Sequence, residues 1–225
     1  MDMKQEPSLK IRLLILAIPI LFLSLALWLL NADSEVFNLF FGFEQIGEWV
    51  QGVCYLLAVG FGLRGFTILK NAHPPHRAIK MATLLLFTFG MLLIALEELS
   101  WGQQILKWDS PQLFLEINAQ GETNLHNTFG VPLHLLFMAI GIYGGLGWAV
   151  KKFAKSTIVD LLIPDWHFSS FFLPVFLFYF YYDFVRSVFY IIGNVQELFE
   201  FVLAFGFLFF SMANVSKIKR ASNNR

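Results

Sequence analysis

The sequence contains a single cysteine, Cys54, which excludes an intrachain disulfide framework and a cysteine-rich metal cluster. Charged residues make up only 14% of the chain and the formal net charge is zero. Because intrinsic disorder requires low hydrophobicity and high net charge, it is excluded as well. The chain also lacks a glycine-rich phosphate loop, H-E-x-x-H and G-x-S-x-G. Its basic residues are not interleaved with aromatic residues, so nucleic-acid binding has no support.

Hydrophobic residues are what the chain has in excess. They account for 57% of its 225 residues, 27 of which are phenylalanine, and the mean hydropathy is +0.63. A soluble core of this size could not hide so many large apolar side chains. The composition therefore predicts an all-α integral membrane protein that forms a single transmembrane domain over residues 1–225.

Six apolar runs approach or reach the roughly 20 residues that a helix needs to cross a bilayer. They cover residues 11–30, 46–66, 81–96, 129–150, 168–182 and 198–212. The first run is longer than the apolar stretch of a signal peptide, about 7–15 residues, so we expect an uncleaved first span. The prediction is a polytopic helical bundle.

Basic residues occur on alternate loops of this bundle. Fourteen of the 16 lie before span one, between spans two and three, and after spans four and six. Since positive loops stay in the cytoplasm, both termini are predicted to be cytoplasmic. We expect the protein in a bacterial inner (plasma) membrane.

Twelve of the 16 acidic residues have the opposite distribution and belong to the predicted periplasmic or extracellular side. Acidic residues contribute little to orientation, so the positive-inside rule does not explain them. They are Asp33, Glu35, Glu44, Glu48, Glu97, Glu98, Asp109, Glu116, Glu122, Asp183, Glu197 and Glu200.

Several of these acids share a helix face with other polar residues near the outer ends of the predicted spans. Ionisable groups at membrane depth are costly and usually face a bundle interior or a water-filled cavity, so the polar groups of spans two to six predict one outer site. The predicted sets are Glu44, Glu48 and Gln51; Glu97, Trp101 and Gln104; Glu122 and His126, flanked by Asn124 and Asn127; Asp183 and Arg186; and Gln196, Glu197 and Glu200.

Helix dipoles offer a simpler explanation for some of these acids. Carboxylates in a first helical turn are stabilised without any function, which suits Glu122, Glu197 and Glu44. The explanation fails for Glu97 and Glu98, which come at the C-terminal end of span three. His134 is interpreted as a hydrogen-bonding residue across the bundle, or as a deeper ligand or relay.

The connection between spans three and four carries its own helix signal. Ser110-Pro111 is a typical helix start, an apolar stripe follows, and Gly121 is a plausible stop. We expect residues 111–119 to form an interfacial helix that roofs the acidic site, or else an ordinary amphipathic connector.

Two stretches, 97–103 (EELSWGQ) and 118–127 (NAQGETNLHN), resemble the signature of a group of bacterial polytopic membrane proteins. The resemblance implies that the acids and His126 act as a unit, but it supplies no reaction. In outline the arrangement also resembles diiron carboxylate proteins, although those use Glu-x-x-His and the spacing here is Glu-x-x-x-His. Alkaline-ceramidase-like hydrolases bind zinc through several histidines, whereas this outer face has one.

The leading hypothesis is a metal-dependent membrane enzyme that hydrolyses or transfers a group of a lipid or lipid-linked substrate at the outer leaflet. An oxygen-rich ligand set with one imidazole suits Mg, Mn, Fe or Ca better than structural Zn. The predicted catalytic residues are Glu97, Glu98 and His126, and the predicted metal ligands are Glu98, Glu122, His126 and Glu200. Glu44, Glu48, Gln51, Gln104, Asn124, Asn127, Asp183, Arg186 and Glu197 would line the site.

Two alternatives stay open. The first is a cation- or proton-coupled transporter or channel, for which the inner halves of the spans offer few polar side chains. The second is a non-catalytic subunit that docks a membrane-protein partner or another copy of itself, with Gly141, Gly144, Gly145 and Gly147 as a small-residue seam. Membrane lipids are expected partners in every case. Ser100 and Ser110 have no adjacent base in the sequence, so neither is predicted to be a nucleophile.

Overall fold

The computed structural model describes residues 7–42, 46–72, 74–118, 121–125, 128, 133–154, 156–185 and 192–223. Within these ranges the chain is helical and forms no strand, although Asn118 and Thr128 make an isolated antiparallel bridge. The helices are α1 (Leu9–Ala32), α2 (Ser34–Phe41), α3 (Ile46–Ala72), α4 (Arg77–Glu98), α5 (Gln103–Leu106), α6 (Gln112–Ile117), α7 (Leu133–Leu146), α8 (Thr157–Leu162), α9 (Ser169–Phe184) and α10 (Ile192–Asn223).

Six candidate spans are long and apolar enough to cross a membrane: Leu9–Ala32, Ser34–Ala72, Arg77–Glu98, Leu133–Lys152, Ile158–Phe184 and Val195–Ser222. The predicted all-α fold with six helices able to span a membrane is confirmed over the described residues. Which end of the bundle faces the cytoplasm stays a prediction.

Several helix ends differ from the predicted spans. α10 runs for 32 residues, because amphipathic and charged turns extend the apolar run at both ends. The fourth span continues from α7 as a 3₁₀ helix over Gly147–Lys152. α2 was not predicted; it begins where the Asp33 carboxylate accepts a hydrogen bond from the Val36 amide, 3.1 Å away.

Side-chain contacts give the directions of the helices. Gln51 of α3 meets Glu197 of α10, and Gly65 of α3 meets Ile218, so these two helices are parallel. α4 and α9 run the opposite way, since Leu99 packs on Gly52 and Tyr179 bonds to Glu200. The bundle therefore has an acidic end, at the N-termini of α3, α7 and α10, and a basic end opposite.

Aromatic and small residues hold the helices together. α10 is the most buried of the six spans and α1 the least. Phe22 of α1 stacks on Phe201 of α10 with ring centroids 5.4 Å apart. α7 packs on α9 through its glycines, where a Cβ on Gly141 would lie 2.6 Å from the backbone nitrogen of Phe176. This seam, considered above as a surface for a partner, is therefore filled within the chain.

Candidate functional site

Three helices bring buried carboxyl groups together at the acidic end. We call this group the carboxylate site; it consists of Glu48 and Gln51 on α3, Glu98 on α4, and Glu197 and Glu200 on α10. All five side chains are buried, Gln51 completely. The carboxyl group of Glu98 interacts electrostatically with Glu200, Glu197 and Glu48, in decreasing order. Three helices thus place four carboxyl groups near one another, out of water.

Gln51 connects two of these helices. Its Nε2 donates a hydrogen bond to Glu197 Oε2 over 3.1 Å. The other end of the same amide, Oε1, is buried and has no partner within the described part of the chain. A buried amide oxygen without a donor is unusual, because nearly all such groups are satisfied in folded proteins. The carboxylate site therefore contains a buried acceptor, Gln51 Oε1, that is available to a hydrogen-bond donor or a cation.

Glu200 receives two hydrogen bonds on one oxygen. The Tyr179 hydroxyl donates to Glu200 Oε1, and Gln196 Nε2 donates to the same atom over 3.0 Å. Tyr179 belongs to α9, so a fourth helix contributes to the site. The Gln196–Glu200 bond follows the predicted shared helix face.

Glu98 and Glu197 have little to balance their charge. Among the described residues, no hydrogen-bond donor contacts the carboxyl group of Glu98, and no Lys or Arg pairs with Glu98 or Glu197. Buried carboxylates that repel one another require a proton or a cation. The carboxyl groups of Glu98 and Glu197 therefore require a proton or a cation at this point.

A second polar group, the loop network, lies in the connection between α4 and α7 and consists of Ser100, Asn118, Glu122 and Asn124. All four side chains are buried. Ser100 Oγ donates a hydrogen bond to Glu122 Oε2, and Asn124 Nδ2 donates to the same oxygen over 3.1 Å. Asn118 Nδ2 donates to Asn124 Oδ1 over 2.7 Å. The network ties residues 100 and 122 together.

The loop network corrects the prediction that Glu122 begins a helix. Glu122 lies in an irregular segment, since Gly121 has a positive φ of 67° and α7 begins only at Leu133. The Glu122 amide donates to Asn118 Oδ1 over 3.2 Å, which replaces a helical bond. Neither the helix-dipole explanation nor a shared helical face with His126 therefore applies.

Ser100 has no adjacent base in the sequence, but its hydroxyl donates a hydrogen bond to Glu122, which is 22 residues away. Ser100 has φ of 45°, and Trp101 and Gly102 follow with φ of 56° and 86°. Non-glycine residues in this left-handed region are strained by about 1–3 kcal/mol each, so surrounding contacts must hold them. Glu122 and Asn124 supply those contacts to the Ser100 hydroxyl.

The left-handed turn also breaks the predicted stripe of Glu97, Trp101 and Gln104, because α4 ends at Glu98. Trp101 Nε1 still reaches Glu97 Oε1 over 2.7 Å. Glu97 Oε2 accepts a hydrogen bond from the Leu125 amide over 2.6 Å. In this arrangement Glu97 holds the loop, and only its neighbour Glu98 joins the carboxylate site.

His134 makes the hydrogen bond across the bundle that was one of its predicted roles. Its Nδ1 lies 3.0 Å from Asp183 Oδ1, which joins α7 to α9. Its ring also contacts Tyr179, with centroids 5.1 Å apart. Asp183 thus has His134 as a partner, and the predicted pairing with Arg186 falls outside the described residues.

Other predicted site residues also lie outside the description. They are Glu44, His126 and Asn127, together with the side chain of Gln104. Within the described ranges, no three His, Cys, Asp or Glu side chains stand in position to enclose a metal ion. Metal binding therefore remains a prediction.

Two tyrosines of the carboxylate site were missed. Tyr55 is fully buried and interacts electrostatically with Glu98 and Glu200. Its spacing from Glu48 and Gln51 on α3 follows a helix face, and this could have identified it. Tyr179 carries no such signal, because its contact depends on how α9 packs against α10.

Comparisons with known proteins add nothing to these structural observations. No family model, no curated protein and no solved structure matches the chain. The resemblance of its two motifs to a group of bacterial membrane proteins therefore stays a prediction.

Proposed function

We propose that the protein is a membrane enzyme whose carboxylate site binds a divalent cation and acts on a lipid or lipid-linked headgroup from the outer leaflet. The observation that carries the proposal is the set of four buried glutamates around Gln51, whose Oε1 has no partner in the described part of the chain. Carboxylate and amide oxygens are the ligands that Mg²⁺, Mn²⁺ and Ca²⁺ prefer.

Binding of the cation would supply the positive charge and the oxygen contacts that the carboxylate site lacks. The glutamates interact electrostatically across three helices, and the proposal requires their side chains to rotate so that their oxygens meet at one ion. The Gln51 oxygen would turn from an unsatisfied acceptor into a ligand. The ion would polarise a headgroup oxygen, and a carboxylate left outside the ligand set would accept a proton from the attacking water or hydroxyl group.

Exposed apolar side chains in the loop between α4 and α7 support the proposal of a lipid substrate. Its large side chains Trp101, Leu106, Leu113 and Leu125 are exposed, although the loop network inside it is buried. Apolar side chains beside a polar site at the end of a bundle suit insertion among lipid headgroups. α6 lies within the predicted interfacial helix 111–119, and we propose that it rests on the outer membrane surface.

A panel assay tests the proposed reaction. Purified protein in detergent would be incubated with bacterial phospholipids and lipid-linked sugars, with and without EDTA, and the products would be read by mass spectrometry. We expect a cleaved or transferred headgroup that requires a divalent cation and is lost in Glu98→Gln. The matched control is Glu116→Gln, because Glu116 is an exposed acid on α6 that contacts Gln112. Equal turnover by Glu98→Gln and wild type would contradict the proposal.

A cation- or proton-coupled transporter is the second candidate, and one observation favours it. The inner half of the bundle contains Ser170 Oγ, Ser211 Oγ and Asn214 Oδ1, which are buried and have no partner in the described part of the chain. Such atoms suit ordered water, so this half is more polar than the sequence interpretation assumed. A pH-sensitive dye inside proteoliposomes would test it, since proton-coupled transport would change the lumenal pH when a cation gradient is applied.

A further inference from the structure

A compact group of charges joins three helical segments at the basic end. We call it the lysine cluster; it consists of Lys151 after α7, Asp165 and His167 before α9, and Lys217 on α10. Lys151 Nζ donates to Asp165 Oδ1 over 2.6 Å, and Lys217 Nζ donates to Asp165 Oδ2 over 2.7 Å. One carboxylate is therefore shared by two ammonium groups, which lie close enough to repel each other.

The lysine cluster retains unused hydrogen-bond donors. Each ammonium group has three N–H donors, and within the described residues each makes one hydrogen bond, to Asp165. His167 is buried, its Nδ1 has no partner in the same part of the chain, and it interacts electrostatically with Asp165 and both lysines. The arrangement is a positive site that a second anion would complete.

The surroundings point to the identity of that anion. Arg12 of α1 lies over the Trp166 ring at 5.8 Å, and Lys152 Nζ lies over the Trp148 ring at 4.9 Å. Tryptophans at the ends of spanning helices are typical of headgroup depth. Among the described residues of the basic end, the only acids are Asp160 and Asp165. Anionic lipids are enriched in the leaflet that the basic end is predicted to face.

We propose that the lysine cluster binds the phosphate of an anionic phospholipid headgroup in the predicted cytoplasmic leaflet. Lys151 and Lys217 bridge the phosphate oxygens with the donors that Asp165 leaves unused. His167, whose Nδ1 has no partner among the described residues, would act as a further donor. The lipid would thus join the end of the fourth span to α10, independently of the carboxylate site at the other end.

Thermal unfolding in detergent micelles tests the proposal, with phosphatidylglycerol, phosphatidylcholine or inorganic phosphate added in separate titrations. Phosphatidylglycerol is expected to raise the unfolding temperature of the wild type. Lys151→Gln and Lys217→Gln are each expected to weaken its apparent affinity about fivefold, the usual contribution of one basic residue to anionic-lipid binding. Lys152→Gln removes the same charge beside Trp148 and is expected to behave like the wild type.

Asp165→Asn separates lipid binding from a purely structural salt bridge. The substitution releases both ammonium groups from their internal anion, so the response to phosphatidylglycerol is expected to strengthen even if the basal stability falls. A weaker response in Asp165→Asn, or an unchanged one in Lys217→Gln, would overturn the proposal. An equal shift with phosphatidylcholine or with inorganic phosphate would overturn it too, because the site would then not select an anionic lipid.

Discussion

The hydrogen bond between Gln51 and Glu197 allows a quantitative test of the carboxylate site. Gln51 Nε2 donates to Glu197 Oε2 over 3.1 Å, and both side chains are buried. Hydrogen bonds to charged groups contribute about 1.5–3 kcal/mol, and a buried acceptor left without its donor incurs the full desolvation cost. Gln51→Leu keeps the side-chain volume nearly constant, so we expect it to lower the free energy of unfolding by about 2 kcal/mol through this bond alone.

A double-mutant cycle isolates that contribution. Replacing both partners by apolar groups of similar shape is nearly neutral, so Glu197→Leu is expected to recover most of the loss when it is added to Gln51→Leu. The assay is reversible unfolding in mixed micelles of rising SDS content, followed by tryptophan fluorescence. Val53→Leu, on the exposed face of the same helix, is the control and is expected to change stability by less than about 0.5 kcal/mol.

The cycle would refute the reasoning if the two substitutions proved independent. Contacting residues couple by about 0.5–3 kcal/mol, whereas independent ones add within about 0.5 kcal/mol. Additivity within that limit would mean that Gln51 and Glu197 do not bond, and the carboxylate site would lose its link between α3 and α10.

Two further predictions concern the packing and the loop. Gly141→Ala is expected to destabilise the bundle by about 1–3 kcal/mol, because its Cβ would lie 2.6 Å from the Phe176 backbone nitrogen. Gly60→Ala meets nothing within 4 Å and should stay within about 1 kcal/mol of wild type in the same SDS assay; equal losses would contradict the α7–α9 seam. Ser100→Ala removes a donor to Glu122 and should speed limited proteolysis of residues 101–125 about tenfold, since about 1.4 kcal/mol of local stability is lost. An unchanged cleavage rate would exclude that role of the hydroxyl.

The membrane fold could be predicted because its signal is local. A run such as Leu9–Ala32 shows its apolar length without reference to any other segment. Helix spacing also placed Glu48 with Gln51, and Gln196 with Glu200, on shared faces. The alternation of spans then put these faces at one end of the bundle, together with Glu98.

The loop could not be predicted, because contacts between distant residues decide its conformation. Spacing alone favours a helix through Glu122, but the side chains of Asn118 and Ser100 bond to it and replace the helical pattern. The left-handed backbone of Ser100 and Trp101 has no sequence signal, since residues with side chains rarely adopt it. Only a tertiary network makes that conformation stable.

The lysine cluster could not be predicted for the same reason, because its contacts join residues that are distant in sequence. The positive-inside rule predicted that Lys151 and Lys217 lie on the same side of the membrane, but not that both would bind Asp165. That arrangement depends on how the turn before α9 lies between the end of the fourth span and α10. Counting charged residues in the sequence predicts that a surface is positive, but only the packing of the helices shows which of those residues form a site.

Cation binding by the carboxylate site is the central claim, and equilibrium dialysis tests it most directly. Detergent-purified protein would be dialysed against an equimolar mixture of Mg²⁺, Mn²⁺, Fe²⁺ and Ca²⁺ under anaerobic conditions, and the retained metal measured by elemental analysis. We predict stoichiometric retention by the wild type and by Glu116→Gln, and its loss in Glu98→Gln. Retention near zero in the wild type, or unchanged retention in Glu98→Gln, would contradict the claim.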